Sequence, residues 1–321
     1  MHHDRSAANA GEERTSVLES TTVSFVELRQ LLFSVVYNVL GTVSDTEDVL
    51  QDTWLAWASS RREEVANARA YLLRIAVNQA LSRLRRARRN RETYVGPWLP
   101  EPLATGTDGP DSVERAEAVS MAMLVVLETL TPLERTVFVL HEVFGYEHAE
   151  IAAILGRRPA AVRQLAHRAR EHVQARRPRY QPDPSAQRAA TERFLAAAVG
   201  GDLTGLLEVL APDVTLWGDG GGRPGAAGRV VQGRDKVARL LATGAARYRT
   251  ADLVIDYAEV NGGPAALVFT GGQLFGVVVV DLTEQGDQVR AVYSVFNPDK
   301  LAAVAGAVRP TVQQTATRRR P

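Results

Sequence analysis

The chain has no cysteine in its 321 residues. Disulfides, thiol nucleophiles and thiolate-bound metals are therefore excluded. It has almost no lysine: Lys236 and Lys300 stand alone, so arginine supplies 36 of the 38 basic side chains. Long apolar runs are also missing. A membrane span needs roughly 18–20 consecutive apolar residues. The longest candidate, Gly276–Val280, reads as a buried strand. The N-terminal "MHHDRSAANAGEERTS" has no apolar core of the kind a signal peptide carries. A cytoplasmic protein with no membrane partner is the expectation. No histidine follows His172, so no His–Asp pair can form in the last part of the chain.

What is present is ordinary in bulk and uneven in place. A hydrophobic fraction of 45% suffices for packed cores, and the length suggests two or three domains. The net charge of +1 hides two arginine clusters. Residues 61–91 hold ten arginines against Glu63 and Glu64, and residues 157–179 hold eight against Glu171. Two separated basic patches suit two contacts with a polyanion. Residues 1–20 and 307–321 are expected to be disordered. Residues 21–91 and 113–177 read as helical, joined by a linker over 92–112. After the proline-bearing boundary "RPRYQPDPS", residues 186–306 read as a third domain of mixed helix and strand.

In the first part, Phe25, Leu28, Leu31, Leu32, Val35, Val36, Val39 and Leu40 recur at helical spacing. Ser44 and Glu47 stand as a capping box for the next helix. That helix carries Asp45, Asp48 and Asp52 on one stripe, with Val49, Leu50, Trp54 and Trp57 as apolar faces. A third helix is expected over about 67–90. Arginines 83, 85, 86, 88 and 89 crowd its C-terminal end, more than a helix dipole needs.

The stretch "HAEIAAILGRRPAAVRQLAHRAREHV" has the spacing of a helix-turn-helix. Ala152 is the small contact residue, Gly156 the turn, and Val162 and Leu165 the buried positions of the second helix. Arg158, Ala160, Arg163, Gln164 and His167 then face outward. Arg and Gln can read base edges in the major groove. Arg168, Arg170, Arg176 and Arg177 suit phosphates.

These three stretches resemble regions two and four of the extracytoplasmic-function sigma factors. "SDTEDVLQDTWLAWA" is similar to the region-two helix that docks on RNA polymerase, and "YLLRIAVNQALSRLRR" to the helix facing the −10 element. "LTPLERTVFVLHEVFGYEHAEIAAILGRRPAAVRQLAHRAREHV" is similar to region four, which reads the −35 element. The resemblance implies core polymerase and promoter DNA as partners. It implies polymerase docking by Asp45, Glu47, Asp48, Gln51, Asp52 and Trp54. Contact with the −10 element would fall to Asn67, Arg69, Tyr71, Arg74 and Asn78. Contact with the −35 element would fall to Arg158, Ala160, Arg163, Gln164, His167 and Arg168. Where many relatives read "VRSR", this chain has Val162-Arg163-Gln164-Leu165, so the second arginine is absent.

From residue 186 the pattern is helices, then alternating strands with turns at Asn261-Gly262-Gly263 and Gln285-Gly286-Asp287. This resembles the α+β SnoaL-like cone, also called nuclear-transport-factor-two-like. The expected protein is thus multidomain. It comprises two all-α sigma domains, a region-two helical bundle and a region-four helix-turn-helix, plus this α+β cone. Such a cone encloses an apolar pocket. Trp217, Tyr257, Phe269, Phe275, Tyr293 and Phe296 are candidates to line it, or else plain core. A small-molecule ligand is one reading. Asp219 is the candidate acid–base residue of an enzymatic alternative, but no partner for it is evident in the sequence. A DNA-binding regulator without polymerase docking is another alternative. The primary reading has no catalytic residue, cofactor or metal.

The linker itself is unusual. "GPWLPEPL" places Trp98 and Leu99 among three prolines. Pro-rich segments are pre-extended and lose little entropy on docking. The chain shares three marks with sigma factors that carry a fused SnoaL-like extension. These are Trp98-Leu99-Pro100-Glu101-Pro102, Asp219-Gly220-Gly221-Gly222 and Asn297-Pro298-Asp299-Lys300-Leu301. That resemblance implies that the linker docks on the C-terminal domain near Asp219, Gly220, Gly221 and the 297–301 segment, and that this contact regulates the sigma domains.

Overall fold

Gly41 sets the first corner of the chain. A helix over residues 25–40 (α1) buries Leu32, Val35, Val36, Val39 and Leu40. Gly41 then takes φ +76°, and its N–H returns to Tyr37 O at 2.7 Å. Positive φ is strain-free only for glycine. Helix α2, Val43–Ala58, starts at once, and its N-cap residue is Thr42 rather than the expected Ser44. The tight turn brings Thr42 Oγ1 to donate to Asp45 Oδ2 at 2.8 Å. Glu47 is thereby freed from capping and pairs with Arg29 at 2.8 Å.

The structure, a computed structural model, describes residues 25–60, 65, 67–105, 119–175, 183–223, 227–245 and 252–308. The expected disorder of residues 1–20 lies outside this set, as do Arg176 and Arg177. Of the tail expected to be disordered, 307–321, Ala307 instead ends a helix, Val308 is described, and 309–321 lie outside. The chain divides into two units, Met1–Thr93 with Pro110–Arg177, and Tyr94–Gly109 with Pro178–Pro321.

In the first unit, α3 (Ala68–Arg91) packs on α2. Helices α4 (Met121–Leu127) and α5 (Pro132–Phe138) follow, the latter opened by a Thr131/Glu134 capping box. A π-helical turn, Val139–Val143, leads towards α6 (His148–Leu155), and α7 spans Pro159–Gln174. Gly156 ends α6 in the left-handed conformation at φ 61°. Helix α3 also packs on α5 and α6, so both helical parts form one body.

That body is tied by a buried charge cluster. The Glu128 carboxylate accepts from Arg91 at the end of α3 and from Arg135 in α5. Arg135 is 1% exposed. Its Nε donates to Asn38 O at 3.2 Å, and Arg88 donates to Glu128 O at 3.1 Å. Burial pushes the Arg91 guanidinium below its usual range, against the opposing pull of Glu128.

The second unit is α+β. Helices α8 (Pro184–Gly200), α9 (Leu203–Val209) and α10 (Arg234–Ala245) cover one face of a sheet. Its strands are β1 (Ala104–Thr105), β2 (Leu210–Asp219), β3 (Val231–Gln232), β4 (Leu253–Val260), β5 (Gly263–Thr270), β6 (Gln273–Leu282) and β7 (Val289–Val295). Their order is β1-β4-β5-β6-β7-β2-β3. An antiparallel run links β4 to β7. It does not extend to β2, which lies parallel to β7. The long excursion through α10 between β2 and β4 gives the chain room to return in the same direction. A 3₁₀ turn, Pro298–Lys300, and α11, Ala302–Ala307, close the described chain.

Candidate functional site

The linker is part of the second unit. Ala104 and Thr105 form its edge strand, pairing with Val260 and Glu259 of β4. Leu103 N donates to Asn261 Oδ1 at 3.2 Å, and Asn261 N donates to Leu103 O at 2.8 Å. Leu99 is fully buried, and Leu103 is 3% exposed.

One carboxylate organises the docking. Asp219, at the end of β2, is 0% exposed. Strand side chains alternate between faces. Leu216 and Gly218 therefore face the helices, and Asp219 faces the linker on the opposite side. Asp219 Oδ2 accepts from Leu99 N at 2.9 Å and from Lys300 Nζ at 2.6 Å. Oδ1 accepts from Tyr94 OH at 2.5 Å and from Gly221 N at 3.2 Å. Lys300 Nζ also donates to Leu99 O at 2.5 Å and lies 4.1 Å from the centre of the Trp98 ring. A cation over an indole face is attracted by its quadrupole. Asn297 Nδ2 donates to Tyr94 OH at 2.9 Å, and the Asn297 side chain caps the 298–300 turn by accepting from Asp299 N at 3.1 Å. Burial, then Asp219, pushes the Tyr94 phenol far above its usual range. It therefore stays a protonated donor at any physiological pH. Pro100 and Leu301 are buried beside this cluster.

Gly221 is required by this geometry. Its φ is +61°, and a Cβ there would sit 2.7 Å from Asn297 Cγ. Gly272, at φ +76°, would meet nothing within 4 Å. Gly221→Ala is thus expected to lower stability by about 1–3 kcal/mol from backbone strain alone, plus the collision with Asn297. Gly272→Ala should show only the strain. Thermal melts of the two variants side by side isolate the collision.

Across the sheet, α8, α10, β2, β6 and Phe296 enclose a cavity of about 930 Å³. Phe275 and Phe296 line it as expected, their ring centroids 5.3 Å apart. Trp217, Phe269 and Tyr293 do not, because the pleat sends each to the opposite face from a neighbour that does. Tyr257 packs on the core instead, with Arg188 over its ring at 5.3 Å. Asp219 is also absent from the lining, which removes the candidate acid–base group from the cavity.

In the first unit, Val162 and Leu165 are buried in α7 and Ala152 in α6. Arg158, Ala160, Arg163, Gln164, His167 and Arg168 are exposed. Arg158 is the N-cap residue of α7, at the exposed start of that helix.

The comparisons follow the same division. Sigma-70 region 2 matches residues 25–90, Sigma-70 region 4 matches 120–173, and the SnoaL-like domain matches 191–296. The ECF RNA polymerase sigma factor SigJ of Mycobacterium tuberculosis is 39% identical over 86% of this chain and 91% of its own. The chain belongs to the ECF RNA polymerase sigma factors. The probable ECF RNA polymerase sigma factor SigI of Mycobacterium tuberculosis is 30% identical over 85% of this chain and 92% of its own. The crystal structure of Mycobacterium tuberculosis SigJ superposes with a TM-score of 0.70 and 36% identity, covering 88% of this chain and 98% of that one.

In this sigma factor the residues expected at the polymerase and −10 faces make contacts within the first unit. On α2, Arg83 bridges Asp45 at 2.9 Å and Asp48 at 2.6 Å. The crowded acids are therefore relieved from within, by a member of the arginine cluster assigned to nucleic acid. Trp54 is half-buried against Phe25 at 5.3 Å. Gln51 and Asp52 are exposed, and so is Leu55 at 57%. Sequence reasoning passed over Leu55, although it lies one turn on from Gln51.

On α3, Asn67 Oδ1 accepts from Ala70 N at 3.0 Å and serves as a cap. Tyr71 packs on Trp57 at 5.7 Å. Asn67, Arg69, Tyr71 and Arg74 line a cleft of about 750 Å³ whose other wall is Tyr146, Glu150 and Ile154. Asn78 Nδ2 donates across it to Ile154 O at 2.9 Å. On α7, Arg168 pairs with Glu134 at 3.0 Å and His167 with Glu171 at 3.5 Å. Among the described residues, Arg163 and Gln164 have no such partner. No helix among them is long and apolar enough to cross a membrane.

Proposed function

We propose that this sigma factor binds core RNA polymerase through the exposed stripe of α2, Asp48, Gln51, Asp52 and Leu55. We further propose that the N-terminal half of α3 contacts the −10 element and the start of α7 the −35 element. Its SnoaL-like unit regulates those sites in cis by holding the segment that joins the two sigma regions. It does so in the cytoplasm, and without chemistry of its own. The observation that carries this reading is the grip of Asp219 and Lys300 on Leu99. Chain connectivity gives the grip its effect. The chain passes from region two to region four through this segment, so fixing residues 94–105 limits how far the regions can part.

The resting arrangement supports regulation. Asn78 and Arg74, proposed for the −10 element, border the cleft against α6. A promoter strand on that face has to displace the Asn78–Ile154 bond, a cost of about 1 kcal/mol. Release of the linker favours that opening. The enzymatic alternative loses its support because Asp219 is spent on the linker.

Multi-round transcription with core polymerase tests the reading, comparing the full chain with Trp98→Ala. A changed transcript yield with unchanged polymerase affinity is expected. Equal yield and equal protection of residues 94–105 from hydrogen exchange would reject regulation by the linker. For the −35 site, Arg163→Ala is expected to weaken promoter binding about 5- to 100-fold, the range of one bidentate base contact. Among the described residues its guanidinium has no ion-pair or hydrogen-bond partner to confuse the result. Gel-shift titration at fixed salt measures it.

A further inference from the structure

The cavity between α8, α10 and the sheet is unused by the reading above. Its body is hydrocarbon: Phe194, Leu216, Leu241, Phe275, Val278 and Phe296 form the walls. Three apolar residues at its margin, Val199, Val230 and Leu240, are 38–42% exposed. Isolated exposed apolar residues need no explanation, but a group around one opening marks a contact with something apolar. A volume of about 930 Å³ is within the range of clefts that bury a small molecule.

The charged side chains give the chemistry. Among the described residues, the charged groups lining the cavity are Arg229 and Lys236, both exposed and so at the mouth. No carboxylate among the described residues lines it. Neither cation is paired with an acid among the described residues. Elsewhere in this unit Lys300 and Arg290 are each paired with a carboxylate, Asp219 and Asp281. Deeper in the wall, Ser294 is 7% exposed and contributes the one hydroxyl that β7 sends to this face. An apolar chamber with two free cations at its opening selects an apolar body bearing a negative group.

We infer that the cavity is a binding site for a carboxylate on a hydrocarbon body, of fatty-acid size, with the carboxylate at Arg229 and Lys236 and the hydrocarbon over Phe275 and Phe296. This goes beyond the transcription reading and does not depend on it.

Calorimetric titration of the full chain with decanoate and with 1-decanol, both below their aggregation limits, tests it. Decanoate is expected to bind one to one and about tenfold tighter than 1-decanol, as two partly exposed charge contacts allow. Arg229→Gln with Lys236→Gln should remove that advantage and leave 1-decanol unmoved. Both replaced residues are exposed, so folding is not at risk. Val278→Trp, which fills the chamber, should abolish both titrations while the protein still melts cooperatively. Equal affinity for the two probes, or no effect of the double replacement, would overturn the anionic assignment. Absence of binding by either probe, or decanoate binding that survives in folded Val278→Trp, would overturn the site. If Val278→Trp fails to fold, the double replacement alone decides.

Discussion

Lys300→Met is expected to destabilise the second unit by about 3–5 kcal/mol, the usual cost of leaving one member of a buried pair without its partner. Asp219 is 0% exposed and cannot recover water when the ammonium is lost. Two other contacts go with it, the bond to Leu99 O and the approach to the Trp98 ring. For a unit of this size that corresponds to a drop of about 6–20 °C in melting temperature. The same change should raise hydrogen exchange along residues 94–105. A double replacement, Asp219→Leu with Lys300→Met, is expected to recover much of the stability, since an apolar pair can replace a buried ion pair with little loss. Linker protection should recover less, because Leu99 N and Tyr94 OH would have lost their acceptor. A loss below about 1 kcal/mol in the single variant would mean that solvent reaches Asp219.

Glu128→Ala should act with similar size on the first unit. The carboxylate accepts from both Arg91 and Arg135, and Arg135 is 1% exposed. Without Glu128 two guanidinium groups share a poorly solvated space. The expected loss is about 3–5 kcal/mol, read by thermal or urea unfolding. Arg135 Nη2 is already buried without a hydrogen-bond partner, so the site has no spare acceptor to offer. Since Arg91 ends α3 and Arg135 lies in α5, the variant should also loosen region two from region four. Faster exchange at both ends of α3, beyond what α2 shows, would report it. Glu128→Gln should cost less, because its oxygen still accepts from one arginine.

Much of this was legible in the sequence, for local reasons. The helix-turn-helix spacing foretold the burial of Ala152, Val162 and Leu165 because helical periodicity is a property of neighbours. The turn at Asn261 and Gly262 was legible for the same reason. Asp219, Asn297 and Lys300 were found only through the shared motifs, since no local pattern links residues some 80 positions apart. Tyr94, the phenol that joins Asp219 to Asn297, escaped notice because it precedes the linker motif and carries no motif of its own. The Arg91–Glu128–Arg135 cluster was hidden within an arginine-rich helix end that invited a nucleic-acid reading. The parallel β2–β7 pairing and the edge strand at Ala104 were also missed. Register between distant segments is set by packing, and two residues are too few to show a period.

The linker's partners are late in the chain. Leu103 waits for Asn261, 158 residues on, and Leu99 waits for Lys300, 201 residues on. At about 5–20 residues per second of synthesis, the grip on Leu99 cannot close until roughly 10–40 s after Leu99 has been made. Region four ends near Val173, so for roughly the last 6–25 s of that interval both sigma regions are complete while the segment between them is untethered. A nascent chain is thus a different regulatory species from the finished one, and the ribosome sets how long it lasts.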